Sequence, residues 1–191
     1  MSTTGTATAV RTRTGEAAAR FAPYATHRRG SSGLALDLPP RLLEREFGRG
    51  RVIRFEEVDF PPTLTHEPTR RFLTETGLPD DPRLLSPDTD TDIPLPTLTE
   101  HHADDPATEL PPRAAHLIHL GTMPGPHAPL LDGTTGEIYL WSPEEATLHP
   151  SNEDISTLVH SLILLHRAIG GRGGNRTRVT RFAGLSVLVR A

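Results

Sequence analysis

The chain has 191 residues, 35% of them hydrophobic, with no cysteine and a formal charge of −4. That length fits one domain with room for tails, and an apolar share below the usual ~45–50% (on a scale that also counts Gly) implies that part of the chain stays out of the core. The lack of cysteine excludes disulfides, thiolate metal sites, a cysteine nucleophile and the Pro-Cys-x-x-Cys segment of zinc deaminases, while the lack of lysine (all 20 basic residues are Arg) excludes Schiff-base catalysis and a Walker phosphate loop.

Residues 1–32 carry five Arg against one Glu and little apolar period. They read as a disordered N-terminal extension. The opening MSTTGTATAVRTRTG has no apolar core of a signal peptide, and the chain has no run of about 18 apolar residues, so a cytoplasmic protein is expected. From Gly33 the pattern changes. LDLPPRLLEREFG places Pro39 and Pro40 at a helix start and Gly48 past its end, with Leu42, Leu43 and Phe47 as its apolar stripe. RVIRF reads as a strand with Val52, Ile53 and Phe55 inward. HEPTRRFLTETGLP predicts a second helix, with Pro68 and Glu67 in its first turn, Phe72 and Leu73 inward, and Gly77 at C′.

Residues 79–112 are long, acidic and proline-rich, and predict a connection. AAHLIHLG reads as a strand, with Leu117 and His119 on one face and Ile118 and Leu120 on the other. HAPLL and EIYLW, joined by DGTTG, predict a hairpin: Asp and Gly supply its turn, so Asp132 has a sufficient structural task. SNEDISTLVHSLILLHRAIG predicts the main helix, capped by Ser151 or Asn152. Ile155, Leu158, Val159, Leu162, Leu165 and Ile169 form its stripe, and Ile163 and Leu164 widen it. After it come GGRGG and an Arg-rich end.

The candidate chemistry is thin. No Gly-x-Ser-x-Gly elbow is present. Asp88, Asp90 and Asp92 imitate a calcium loop, but Ile93 stands where Gly is needed and Thr99 where Glu is needed. His116 and His119 lie three apart on a strand and point to opposite faces. His101 and His102 beside Asp104 and Asp105 form the better ligand set, yet they sit in a predicted loop without fixed geometry. No catalytic residue, metal or cofactor is assigned. An enzyme built on Asp132, Glu137 and His127 is the weakest alternative.

The ordered set LTHEPTRRFLTETGLP, PTLTEH, LPPRAAHLIHLG, LLDGTTGEIYLW and DISTLVHSLILLHR resembles the SUKH superfamily, in particular its actinobacterial clade of immunity proteins. The resemblance covers roughly residues 34–168. It implies an α+β domain, an antiparallel sheet flanked by helices; the flexible N- and C-terminal tails expected from composition are where the chain departs from the family. It also implies a non-catalytic, cytoplasmic partner of a polymorphic toxin, many such toxins being nucleases or nucleic-acid deaminases. The domain boundaries are then 1–32 for the extension, 33–168 for the SUKH-like domain and 169–191 for a Gly/Arg-rich tail foreign to the family. One spelling of Asn175-Arg176-Thr177 complements the T-arm of transfer RNA genes, which would make that tail read-through sequence and the chain a truncated relic.

Charge supplies the mechanism. Residues 33–166 hold nine Arg against 23 acidic residues. Such a body repels nucleic acid and attracts a toxin with a basic surface; no direct nucleic-acid or membrane partner is expected. The densest stretch contributes Asp80, Asp81, Asp88, Asp90, Asp92, Glu100, Asp104, Asp105 and Glu109, with Arg83 alone against them. These are the expected toxin-facing residues, with Trp141 as the aromatic candidate. The competing reading is a general protein-interaction or regulatory module of the same fold with no toxin partner.

Overall fold

Helix α1 spans Leu42–Phe47 and stops at Gly48, whose φ of +100° lies in the region glycine alone enters freely. These contacts come from a computed structural model that describes residues 31–88, 93–105, 108–170, 178–182 and 185–189. Strand β1 (Val52–Ile53) pairs antiparallel with β2 (Leu78–Pro79) in a two-stranded ribbon. Between them, after a 3₁₀ turn at Glu57–Asp59, lies α2 (Glu67–Glu75). Gly77 ends α2 with φ +81°, its N–H donating to the Phe72 carbonyl at 2.9 Å; a Cβ there would strike the Ile53 carbonyl.

A four-stranded antiparallel sheet follows in simple meander order: β3 (Leu117–His119), β4 (Ala128–Asp132), β5 (Ile138–Ser142) and β6 (Thr147–Asn152). The β4–β5 hairpin forms where the Asp-Gly step predicts it. Asp132 is 1% exposed, and its carboxylate accepts the N–H groups of Thr134 and Thr135 at 2.9 and 3.1 Å and an Arg113 N–H at 2.8 Å. The turn thus engages Oδ1, and Arg113 engages Oδ2. Helix α3 is short (Leu98–His101), and α4 is long (Ile155–Gly170). Within the Gly/Arg-rich stretch read as a tail, Arg178–Phe182 (β7) and Leu185–Val189 (β8) pair antiparallel in a separate two-stranded sheet. Among the described residues no helix is long and apolar enough to cross a membrane.

Both faces of the main sheet are buried, each by a different core. Alternation along β3 sends Ile118 and Leu120 to one side and Leu117 to the other. The first side meets α1, α2 and α4 through Leu43, Phe72, Leu73, Leu158, Val159 and Leu162. The second side is smaller: Leu98, Ala114, Leu117, Leu130 and Trp141 close beneath α3 and a 3₁₀ turn at Ala114–His116.

Two details depart from the sequence expectation. The stretch before α4 is not helical: Thr147–Asn152 is β6, so Ser151 and Asn152 do not cap α4. Asp154 does, its carboxylate accepting the Thr157 N–H at 3.1 Å. It also accepts the Ala35 N–H at 2.5 Å and the Ser156 hydroxyl at 2.6 Å, while Ser156 Oγ accepts the Leu36 N–H at 3.0 Å. One buried carboxylate therefore caps the helix and pins the start of the domain to it.

Candidate partner-binding surface

The acidic segment leaves β2 at Asp80, whose carboxylate accepts the Ser86 hydroxyl at 2.8 Å. Asp81 then closes a tight loop, exchanging backbone hydrogen bonds with Leu85 at 2.8 Å in both directions. This loop plugs Leu84 and Leu85 into the first core. The Asp81 side chain is only 10% exposed and faces Arg83 at 2.6 Å and His166 Nδ1 at 3.2 Å. The Arg83 guanidinium holds its carboxyl down at about 2, against the cost of burial. Asp81 is thus a compensated, largely buried group.

Farther along, α3 begins with a reciprocal cap. Thr97 Oγ1 accepts the Glu100 N–H at 3.2 Å, and Glu100 Oε2 accepts the Thr97 N–H at 2.8 Å. Glu100 is nevertheless exposed, as are Asp104, Asp105 and Glu109 on the turn that follows. Asp105 accepts the Thr108 hydroxyl at 2.6 Å. Asp88 is half-buried against His119, at 3.4 Å. Asp90 and Asp92 lie outside the described residues. The expected residues therefore fall into two neighbourhoods: Asp80 and Asp81 near α4, and Asp88 with Glu100–Glu109 beside α3.

Trp141 corrects the expectation of an exposed aromatic anchor. It is 0% exposed and sits in the second core with Leu98, Ala114, Leu117 and Leu130. The reason is that the second sheet face, on which β5 alternation places Trp141, is roofed by α3. The exposed large apolar side chains among the described residues are instead Val58 and Ile93.

Ion pairing separates the regions further. Arg54 meets Glu44 at 2.8 Å, Arg167 meets Glu46 at 2.6 Å, and Arg70 meets Glu57, all on the α1, α2 and α4 side. Among the described residues, no such ion pair includes Glu100, Asp104 or Glu109.

Histidines occupy the same neighbourhood. His101, at the end of α3, stacks on His119 of β3 with ring centroids 4.0 Å apart and planes at 17°, and meets His102 edge-on at 5.0 Å. Burial, aided by the charges of His101 and His102, pushes the His119 imidazole down to about 3, so it is neutral at ordinary pH. Burial also lowers His102. Sequence reasoning separated these rings, because it treated 101–105 as a loop. The T-x-x-E capping pattern of Thr97–Glu100 was the available signal for α3.

A family model described as SUKH-4 immunity protein matches residues 38–183. The match therefore covers α1 through α4 and runs on into the Gly/Arg-rich stretch. No curated protein and no solved structure matches the chain.

Proposed function

The chain belongs to the SUKH-4 immunity protein family, and from that premise we propose that it binds and neutralises one cognate toxin domain through the acidic surface beside α3. The family match over most of the domain carries the immunity role. The choice of surface is supported by Glu100, Asp104, Asp105 and Glu109, which are exposed together. Arg54, Arg70 and Arg167 pair with carboxylates on the α1, α2 and α4 side, and Arg113, the Arg beside the second face, is taken by the buried Asp132. The expected partner is a toxin that acts on nucleic acid, since such a protein needs a basic surface for phosphates. An acidic face steers it in, raises the association rate and covers the substrate path without any chemistry of its own.

Growth rescue tests the role. Toxin-like domains sought among the genes beside this one are expressed with and without the full chain, and the complex is captured. Rescue with a stoichiometric complex is the expected result; no rescue and no complex would overturn it. The surface is tested by Asp104→Lys combined with Glu109→Lys. Association should slow by roughly tenfold or more and become less salt-dependent. Glu144→Lys with Glu145→Lys, on the exposed β5–β6 turn, should leave association unchanged. Equal effects from both pairs would mean that the toxin docks elsewhere.

A further inference from the structure

Asp88, His101 and His119 come from a loop, a helix end and a strand end, yet one ligand atom of each lies within 4.8 Å of the other two. His119 is the anchor of the group. It is 3% exposed and held by the β3–β4 pairing of His119 with Leu130, while its Nδ1 makes no hydrogen bond. A buried ring nitrogen without a partner is costly, and such groups call for an explanation. Asp88 Oδ2 lies 3.4 Å away, close but out of hydrogen-bonding alignment. His101 covers the same ring from the solvent side.

Two imidazoles and one carboxylate are a donor set suited to a divalent transition-metal ion, with further positions left for water or a partner's side chain. Calcium and magnesium fit poorly, because they demand six or more oxygen ligands or near-complete hydration. The present spacing is wider than a bound ion would require: tetrahedral bonds of about 2.0–2.1 Å put donor atoms about 3.3 Å apart. Stacked, near-parallel rings also cannot aim their lone pairs at one point. Binding therefore requires the rings to splay. His119 is fixed in the sheet, whereas His101 is exposed at the end of a four-residue helix, so closure falls mainly to the His101 ring.

We propose that Asp88, His101 and His119 form a binding site for a divalent transition-metal ion of the zinc class, which ties the 86–88 loop to α3 and β3. The ion would brace the beginning and the middle of the acidic segment against the sheet. This site does not depend on the toxin reading, since it is defined by metal binding to the isolated chain.

The test uses the full-length chain, stripped with a chelator, and titrates it with Zn²⁺ in competition with a chromophoric chelator. Co²⁺ serves as the spectroscopic probe. One saturable site per chain is expected, with visible Co²⁺ bands of a four- or five-coordinate nitrogen/oxygen site. His101→Ala and Asp88→Asn should each weaken it by more than the ~10–100-fold that loss of an outer-sphere partner costs. Both positions reach the surface, and an unchanged circular dichroism spectrum checks that the fold survives. His149→Ala and His160→Ala remove exposed histidines elsewhere and should leave the site intact. Absence of a saturable site, or a site that persists in both His101→Ala and Asp88→Asn, would overturn the proposal.

Discussion

The two faces of the β3–β6 sheet are covered in different ways. On one, α1, α2 and α4 bury a continuous apolar core, and the surface carboxylates outside it are offset by Arg54, Arg70 and Arg167. On the other, one short helix and a 3₁₀ turn roof five buried residues, and the exterior carries acidic groups and stacked imidazoles. The first face spends its residues on packing and charge balance. The second keeps enough packing to hold its shape, and Glu100, Asp104 and Glu109 stand exposed beside it.

The largest expected effects test whether the smaller layer is a true core. Trp141→Ala should cost about 3–5 kcal/mol and Leu162→Ala about 2–5 kcal/mol, because both leave cavities in closely packed surroundings. Urea unfolding measures both. A Trp141→Ala loss below about 1 kcal/mol would show that the second layer is loosely assembled, and the comparison would fail.

Acid should find the same layer next. His119 titrates near its ordinary 6.5 when unfolded and at about 3 when folded. Between those values the unfolded chain holds the extra proton, so stability is complete above pH 6.5 and falls as pH drops toward 3. The slope approaches about 1.4 kcal/mol per pH unit at most. Measured with a chelator present, His119→Phe should flatten the profile across that window; an unchanged profile would place the acid sensitivity elsewhere. Asp81, on the other side, acts lower: its contribution is present above 3.8 and disappears as pH falls through about 2.

A smaller loss is expected at Asp154. Asp154→Ala removes the α4 cap and its tie to Ala35, for about 1–2 kcal/mol, read as a lower thermal midpoint. If Asp154→Asn, which keeps one acceptor, lost as much as Asp154→Ala, the tie rather than the cap would be the main term. The smallest effect belongs to surface pairs: Glu46→Gln releases Arg167 at an exposed site and should leave the midpoint nearly unmoved.

Much of the larger face was readable in the residues. Helices α1, α2 and α4 announce themselves through three- and four-residue apolar spacing, through Pro39, Pro40 and Pro68 at their starts, and through Gly48 and Gly77 past their ends. The hairpin at Asp132 follows from turn chemistry. Such features are local, because they repeat within a few residues and reflect what the backbone at that position allows. The reading of His116 and His119 on one strand, by contrast, is corrected: Ala114–His116 is a 3₁₀ turn and the strand begins only at Leu117.

The smaller face depended on contacts distant in sequence. Strand β6 has no clean alternation and contains Pro150, and it exists because β5 pairs with it through a bulge at Ile138 and Tyr139. Helix α3 is four residues long, too short for any period to register. Its position over the sheet buries Trp141, and its approach to β3 brings Asp88, His101 and His119 together across gaps of 13 and 18 residues. Local chemistry thus settled α1, α2, α4, the β4–β5 hairpin and the acidic character of 80–109, while the α+β class came from the family resemblance. Which of those acidic side chains face solvent, and which ligands meet, followed from packing, since burial and convergence are properties of residues that only folding makes neighbours.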